Sequence, residues 1–439
     1  MAKEFEEELN KRRQERESRR KQQLAQQRKL RIQLIIAAVV LVAAAVAIIA
    51  LGGGKDDGQT INNGQKPATQ ETTETTVPET TETEPTSLRN SSTTIHIRAA
   101  GDLNVTDNVI LAGAGPGGYD FSSCFQEIAG VLSDANMTIL NLEGNFCGEP
   151  YGSVTTSAPI QLAQALKAAG VDMVQMANSC SVNNGISGLA TTLNNLRAAG
   201  LEPVGAYANS EEFRASKGYT ICEIEGIKIA VVAFTKGVGS RGLPVGSEDC
   251  VNLLYTDFST TYNEVDTAGI KKILQNAASE KPDLTIALLH WGSEYNDTLS
   301  STQEEIVKLM QNQGVDVIIG THPHMVHQIT YDEITGKLVA YSLGDFFGDA
   351  SRSGTAYSII LDIQITKDYD EGTTRVTGYD YIPIYTLQES ESADGRRRVV
   401  CIEESMDAYN DTFMDRIAGT AYENMIYSMK RIHARVKGE

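Results

Sequence analysis

A chain of 439 residues is long enough for more than one module. Its formal net charge of −19 argues against nucleic acid as a partner and sets no other limit on function. The six cysteines (Cys124, Cys147, Cys180, Cys222, Cys250 and Cys401) leave several disulfide patterns open, because sequence does not give connectivity.

Composition divides the chain. Residues 1–33 are polar, helical in character and heavily basic, with Arg12, Arg13, Arg16, Arg19, Arg20, Lys21, Arg28, Lys29 and Arg31. The run Leu34–Leu51 is apolar and uncharged, close to the ~20 residues a membrane-spanning helix needs. Basic residues precede it, and Asp56, Asp57 and an acidic tract follow, so the positive-inside rule puts the N-terminus in the cytoplasm and everything after residue 51 outside. A cleaved signal peptide needs a short n-region, and this one is much too long; an uncleaved anchor in the cell membrane is expected. Residues 52–92 are rich in glycine and asparagine, then in the repeat ETTETTVPETTETEPT. With little to bury and like charges repelling, they are expected to form an extended, disordered stalk that supplies reach.

From residue 93 to about 390, strand and helix signals alternate, and the remainder, 391–439, carries a helical segment expected to pack on this domain. TTIHIRAAGDL reads as a strand ending in a glycine-aspartate turn. MTILNLEG is a second strand, ending in Asn141-Leu142-Glu143, and VDMVQMAN a third, ending in Asn178. Ile186–Ala199 is an amphipathic helix stopped by Gly200. KGYTICEIEGIKIAVVAFT reads as a hairpin whose second arm is buried, and a helix follows over Thr267–Ser279. Antiparallel strands are expected from Tyr331 to Tyr385, and a helix over Met406–Lys437 with Tyr422, Ile426 and Met429 facing the core.

The organising stretch is Leu288–Phe347. Two continuous β-branched runs, Leu284–Leu289 and Val315–Ile319, have the character of strands buried on both faces. Between them Thr302–Asn312 has helix periodicity, with Ile306, Leu309 and Met310 on one face. This is a β-α-β unit with His290 after one strand and His322 and His324 after the other, and in open α/β sheets the ligand crevice lies at those ends. A lone histidine after a strand is usually a satisfied polar residue. Gly320-Thr321-His322-Pro323-His324 differs: it sets two imidazoles one residue apart on a proline-stiffened turn, with a glycine that permits close backbone approach. His327 falls past the turn and is not expected to ligate.

Asp102, Asn141, Glu143, Asn178, His290, His322 and His324 all follow apolar runs. Each carboxylate alone is more often a cap or a surface group, but the repeated placement points to one site. Mixed Asp/Glu/Asn/His sets suit divalent Mn²⁺, Zn²⁺ or Fe²⁺, which can generate hydroxide and clamp a phosphoryl or acyl oxygen.

These residues resemble a known family. Gly101-Asp102, NLEG at 141–144, GISGLATTL with AAGLEPVGA at 185–206, HWGSEY at 290–295, GTHPH at 320–324 and YSLGDF at 341–346 are similar, in unbroken order over roughly 95–350, to the CapA (PgsA-type) capsule synthesis proteins. The resemblance implies an α/β fold, the αββα sandwich of calcineurin-like metallophosphatases, with a dinuclear metal cleft held by Asp102, Glu143, His290, His322 and His324. Asn178, Trp291 and Glu294 would be substrate contacts. It also implies a membrane-anchored extracellular protein supporting synthesis or export of poly-γ-glutamate or a related anionic capsule polymer, with the polymer or its membrane synthase complex as partner.

One motif departs. Where the family reads A-N-N-H-x-x-D-x-G, this chain has Ala177-Asn178-Ser179-Cys180-Ser181-Val182-Asn183-Asn184-Gly185. Ser179 replaces an asparagine ligand, Cys180 a proton-donating histidine and Asn183 an aspartate; Asp345 and Thr321 are softer departures. A serine hydroxyl is a poor neutral ligand, and a thiol is no substitute for imidazole as a general acid near neutral pH. Either the domain is a degenerate scaffold or polymer-binding module, or it is a hydrolase of a phosphoester or γ-glutamyl bond in which His290 and a repurposed Cys180 take catalytic roles. The second option expects a thiol pKa lowered by a metal or by the following helix.

Overall fold

The continuous apolar runs become the central parallel strands, and the rest of the fold follows from their pairing. The computed structural model describes residues 91–239, 242–412 and 417–439; the basic tail, the apolar run 34–51 and positions 52–90 of the expected stalk lie outside them. None of the described helices is long and apolar enough to cross a membrane.

In chain order the strands are β1 (Ser92–Asn104), β2 (Ala114–Gly115), β3 (Gly118–Tyr119), β4 (Met137–Glu143), β5 (Met173–Gln175), β6 (Glu202–Val204), β7 (Thr220–Ile224), β8 (Ile227–Thr235), β9 (Leu284–His290), β10 (Val317–Thr321), β11 (Ile329–Asp332), β12 (Lys337–Ala340), β13 (Asp345–Phe347), β14 (Tyr357–Asp368), β15 (Thr373–Leu387) and β16 (Arg398–Cys401). They build an eight-stranded sheet in the order β16-β15-β14-β1-β4-β5-β6, with β13 also on β1, and a six-stranded sheet in the order β11-β12-β10-β9-β8-β7. β2 and β3 form a separate ribbon. The class is α/β, and both sheets have parallel centres: β1-β4-β5-β6 in one, β8-β9-β10-β12 in the other.

The expected β-α-β unit is present. β9 and β10 pair in parallel, with Thr321 opposite His290. The helix between them, Ser301–Asn312, starts with a reciprocal cap between Ser300 and Gln303 and buries Ile306, Val307 and Met310, with Leu309 half-buried at its edge. On β8, Ala230, Val232 and Phe234 alternate onto the same layer and pack with Ile270, Leu274 and Ala277 of helix Thr267–Ser279. The helices thus cover one face of the smaller sheet.

Three local expectations change. β1 does not turn at Gly101-Asp102 but runs on to Asn104 across a register shift between Ala99 and Asp102. Gly101 is there because a Cβ would lie 1.8 Å from the Gly344 carbonyl oxygen, where the Asp102 N–H donates to that same oxygen. β11 with β12 and β14 with β15 pair antiparallel as expected, but β12 also pairs in parallel with β10, and β13 pairs in parallel with β1 instead of continuing the meander. The C-terminal helix is two, Ile402–Thr412 and Gly419–Val436. The chain leaves helical geometry because Ile417 makes a β-bridge with Ser392 and the Ala418 N–H donates to Glu391 O. The second helix buries Ala421, Met425, Met429 and Ile432, while Tyr422 and Ile426 are half-buried. Segment 391–439 also supplies β16, the edge strand on β15, within one contact unit, Pro85–Glu439.

Gly101→Ala is expected to cost about 3 kcal/mol or more, because its obstacle is backbone and cannot rotate away. A urea unfolding midpoint indistinguishable from wild type would contradict this close approach.

Candidate metal centre

Strand ends of both sheets meet at the site. β1 delivers Asp102 and Asn104, β4 delivers Glu143, β9 delivers His290, and the turn after β10 delivers His322 and His324. All five residues expected as ligands, Asp102, Glu143, His290, His322 and His324, are buried and lie together. Three groupings keep donor atoms within 4.8 Å of one another: Glu143 with His290 and His322, Asp102 with Glu143 and His324, and Glu294 with His322 and His324.

The turn is strained to present its imidazoles. His322 and His324 have φ of 94° and 58° on either side of Pro323, a region that costs non-glycine residues of order 1–3 kcal/mol. The His322 N–H donates to Asp102 Oδ2 at 3.1 Å. Gly320 fits beneath because a Cβ would be 2.0 Å from Tyr341 O and 2.5 Å from Trp291 Nε1.

Hydrogen bonds fix the remaining groups. Asn141 Nδ2 donates to Asp102 Oδ1 at 2.6 Å, and Ser179 Oγ to Glu143 Oε2 at 3.1 Å. His324 Nδ1 lies 2.8 Å from Asp345 Oδ1, which also accepts from Asn104 Nδ2 at 2.9 Å. His290 Nδ1 is 3.2 Å from Thr321 Oγ1, a contact that leaves Nε2 as the open lone pair.

Burial dominates the electrostatics. It raises Asp102 to about 6, with His324 pulling the other way, and Glu143 to about 8. Burial also lowers His322 to about 3 and takes His290 well below the ordinary imidazole range, with the Lys236 charge adding to both. For His324, burial opposes charge, but Glu143, Asp345 and Asp102 together hold it protonated up to about 11. The result is a dry cluster of carboxylates with two neutral imidazoles.

A cation fits this donor set. Glu143 Oε1, His290 Nε2 and His322 Nδ1 are buried polar atoms without a hydrogen-bond partner, and their residues form one of the groupings within 4.8 Å. Buried polar atoms are ordinarily paired, so three orphans converging from three strand ends point to an ion that would pair them.

The structure places the other sequence-predicted residues as follows. In the metal-free fold Cys180 is not a low-pKa thiol: burial, then the Glu143 carboxylate, push it up, and it sits four residues before the N-cap Asn184, too early for the helix to act on it. All six cysteines are free thiols. Iodoacetamide at pH 7 is therefore expected to leave Cys180 largely unmodified over the time that labels a free thiol, as peptide mass spectrometry can check. Asn178 is no substrate contact: its Nδ2 donates to Leu142 O and Asn141 Oδ1, and its Oδ1 accepts from the Cys180 N–H. Trp291 is fully buried, stacked on Tyr341 and donating to Tyr341 O at 3.0 Å, so it is core. His290, held neutral, is suited to ligation rather than proton donation. Glu294 is exposed but within reach of His322 and His324. His327 lies outside the cluster, donating from Nε2 to Asn296 O at 2.7 Å.

Sequence reasoning passed over Asn104, Lys236, Tyr295 and Arg352. The first two had a legible signal: Asn104 is two residues after Asp102 on one strand, and Lys236 follows the apolar run of β8.

The bacterial capsule synthesis protein PGA_cap family model matches residues 96–350. Capsule biosynthesis protein CapA of Bacillus anthracis is 26% identical over 237 residues, 54% of this chain and 53% of that protein. PGA biosynthesis protein CapA of Bacillus subtilis is 27% identical over 218 residues, 49% of this chain and 53% of that protein. The matched part thus spans about half the length of these curated relatives. Among solved structures, a calcineurin-like phosphoesterase from Bacillus subtilis is 15% identical with a TM-score of 0.41, covering 66% of this chain and 90% of that one. A phosphatase of Mycoplasma pneumoniae is 15% identical with a TM-score of 0.40, covering 67% and 94%. With the family model spanning more than half of its length, this chain belongs to the bacterial capsule synthesis protein family.

Proposed function

We propose that this protein holds a divalent ion of the Mn²⁺, Zn²⁺ or Fe²⁺ class between Glu143, His290 and His322, with Asp102 and His324 beside it, in a calcineurin-like αββα arrangement. We further propose that it supports synthesis or export of poly-γ-glutamate or a related anionic capsule polymer, at the outer face of the cell membrane, tethered by Leu34–Leu51 and working with the polymer or its membrane synthase complex. The observation that carries the first part is that three residues whose donor atoms lie within 4.8 Å of one another each hold a buried polar atom without a partner. The second part is supported by family membership and by the basic-apolar-acidic order of the N-terminal segment.

A bound divalent ion polarises a phosphoryl or acyl oxygen and acidifies bound water. The chain's own groups orient around that point: Ser179 fixes Glu143, Asp102 anchors the His322 backbone, and Asp345 fixes the ring of His324. Cys180 supplies no proton near neutral pH, so hydrolysis of a phosphoester or γ-glutamyl bond here would draw on another donor. If it is not a ligand, His324 is the protonated group in place. A cleft that binds without turnover is the second reading, favoured by the raised thiol at Cys180.

Metal analysis of the full-length protein tests the site: stoichiometric metal is expected in wild type and loss of it in His290→Ala and His322→Ala. Folded wild type carrying no metal after growth in Mn²⁺- and Zn²⁺-supplemented medium would remove the proposal. Unchanged surface polymer in a deletion strain would remove the capsule role.

A further inference from the structure

Two cations bracket the turn Gly292–Tyr295 at the mouth of the cleft. Lys236, directly after β8, donates from its backbone N–H to His290 O at 2.8 Å and from Nζ to Gly292 O at 2.5 Å, with the ring of Tyr262 4.7 Å from Nζ. At the other end of the turn, the Arg352 guanidinium lies 4.1 Å over the ring of Tyr295. That ring stacks in turn on His324, with centroids 5.1 Å apart and planes inclined by 25°. The Tyr295 N–H donates to Pro323 O at 3.0 Å, which ties the stack to the histidine turn. A continuous column, Arg352–Tyr295–His324, therefore leads from solvent to the metal centre.

We infer that Arg352 and Lys236 form an oxyanion-recognition pair that takes a carboxylate or phosphate of the substrate beside the metal centre. The inference rests on the metal reading above for its position and names the chemistry the site would select. The contact with the Tyr295 ring holds the Arg352 guanidinium without consuming its N–H groups, which grip carboxylates and phosphates in a bidentate manner. Among the described residues, Arg352 is exposed and no carboxylate pairs with those N–H groups. An unpartnered arginine on a tyrosine is common on protein surfaces; here the platform ends on a buried imidazole of the site.

The test is calorimetric titration of full-length protein with inorganic phosphate and, separately, with γ-linked triglutamate, each with and without saturating Mn²⁺. Arg352→Ala is expected to weaken the better-bound probe about tenfold while Mn²⁺ content stays at the wild-type level. Arg352→Lys, lacking the planar fork, should recover only part of the loss, and Lys236→Met should act in the same direction as Arg352→Ala. Which probe binds better separates phosphate from carboxylate recognition. Equal anion affinity in wild type and Arg352→Ala, or no anion binding by wild type, overturns the pair whatever the metal content. Wild type without Mn²⁺ overturns the metal centre instead, and a tenfold Arg352 effect in that metal-free protein still upholds the pair.

Discussion

Glu143→Gln is expected to make the metal-free protein more stable and the metal-bound protein less so. In the metal-free fold the Glu143 carboxylate is buried, its Oε1 unpaired and its acidity weakened to about 8 by burial. An unpaired buried polar atom costs roughly 1–3 kcal/mol. A glutamine can keep accepting from Ser179 Oγ through its oxygen and turn its NH₂ toward His290 Nε2, which lies 3.7 Å from Oε1 and has no partner. The substitution should therefore add about 1–3 kcal/mol to stability in EDTA. It also removes the anionic donor, and Mn²⁺ affinity should fall by roughly a hundredfold or more, beyond the 10–100-fold typical of lost outer partners. Because an ion bound only to the folded state stabilises by mass action, excess Mn²⁺ should place wild type above the variant. Urea unfolding of both proteins in EDTA and in Mn²⁺ measures all four values. A variant less stable than wild type in EDTA would show that Glu143 is a structural group.

The histidine turn and its β-α-β unit were legible because their signals are local. Leu284–Leu289 and Val315–Ile319 are apolar on both faces, which only a covered central strand tolerates, and polar residues after such runs fall at one end of the sheet. Asp102, Glu143, His290, His322 and His324 follow such runs, and the structure brings them together. What the sequence hid depends on distant partners. Gly101 looks like a turn glycine until Gly344 is brought against it. Trp291 beside His290 looks like a substrate contact until Tyr341 and Gly320 enclose it. Asn178 sits at a strand end like the candidate ligands, but its amide is consumed by Leu142 and Asn141. The Cys180 thiol is raised by burial and then by Glu143, 37 positions away in sequence. Arg352 had no signal at all, since a single exposed arginine acquires meaning only from Tyr295 beneath it.

Proton release on metal uptake should reveal which groups ligate. Glu143 is raised from 4.5 to about 8 and His324 from 6.5 to about 11, whereas His322 is lowered to about 3. Below pH 8 the ion must displace the Glu143 proton, so one proton is released at pH 7 and apparent affinity rises about tenfold per pH unit toward 8. The imidazoles of His290 and His322 are already neutral and release nothing. If His324 also ligates, through Nε2 because Nδ1 faces Asp345, it must lose its proton as well, and release persists at pH 9, where Glu143 is already ionised. Calorimetry in two buffers of different ionisation enthalpy gives the count: zero at pH 9 leaves His324 outside the coordination sphere as a proton donor, and one places it inside. No release at pH 7 would contradict the role of Glu143. The same shifts fix the pH dependence of the metal-free protein. Between pH 4.5 and 8 the folded state keeps a proton on Glu143 that the unfolded chain gives up, so stability falls as pH rises through that window. His324 acts in the same sense from 6.5 to 11. His322 acts oppositely, the unfolded chain holding the proton, so stability also falls as pH drops from 6.5 to 3. Metal-free protein should be most stable in the weakly acidic range, and bound Mn²⁺ should move that optimum upward, since it takes over the place of the Glu143 proton.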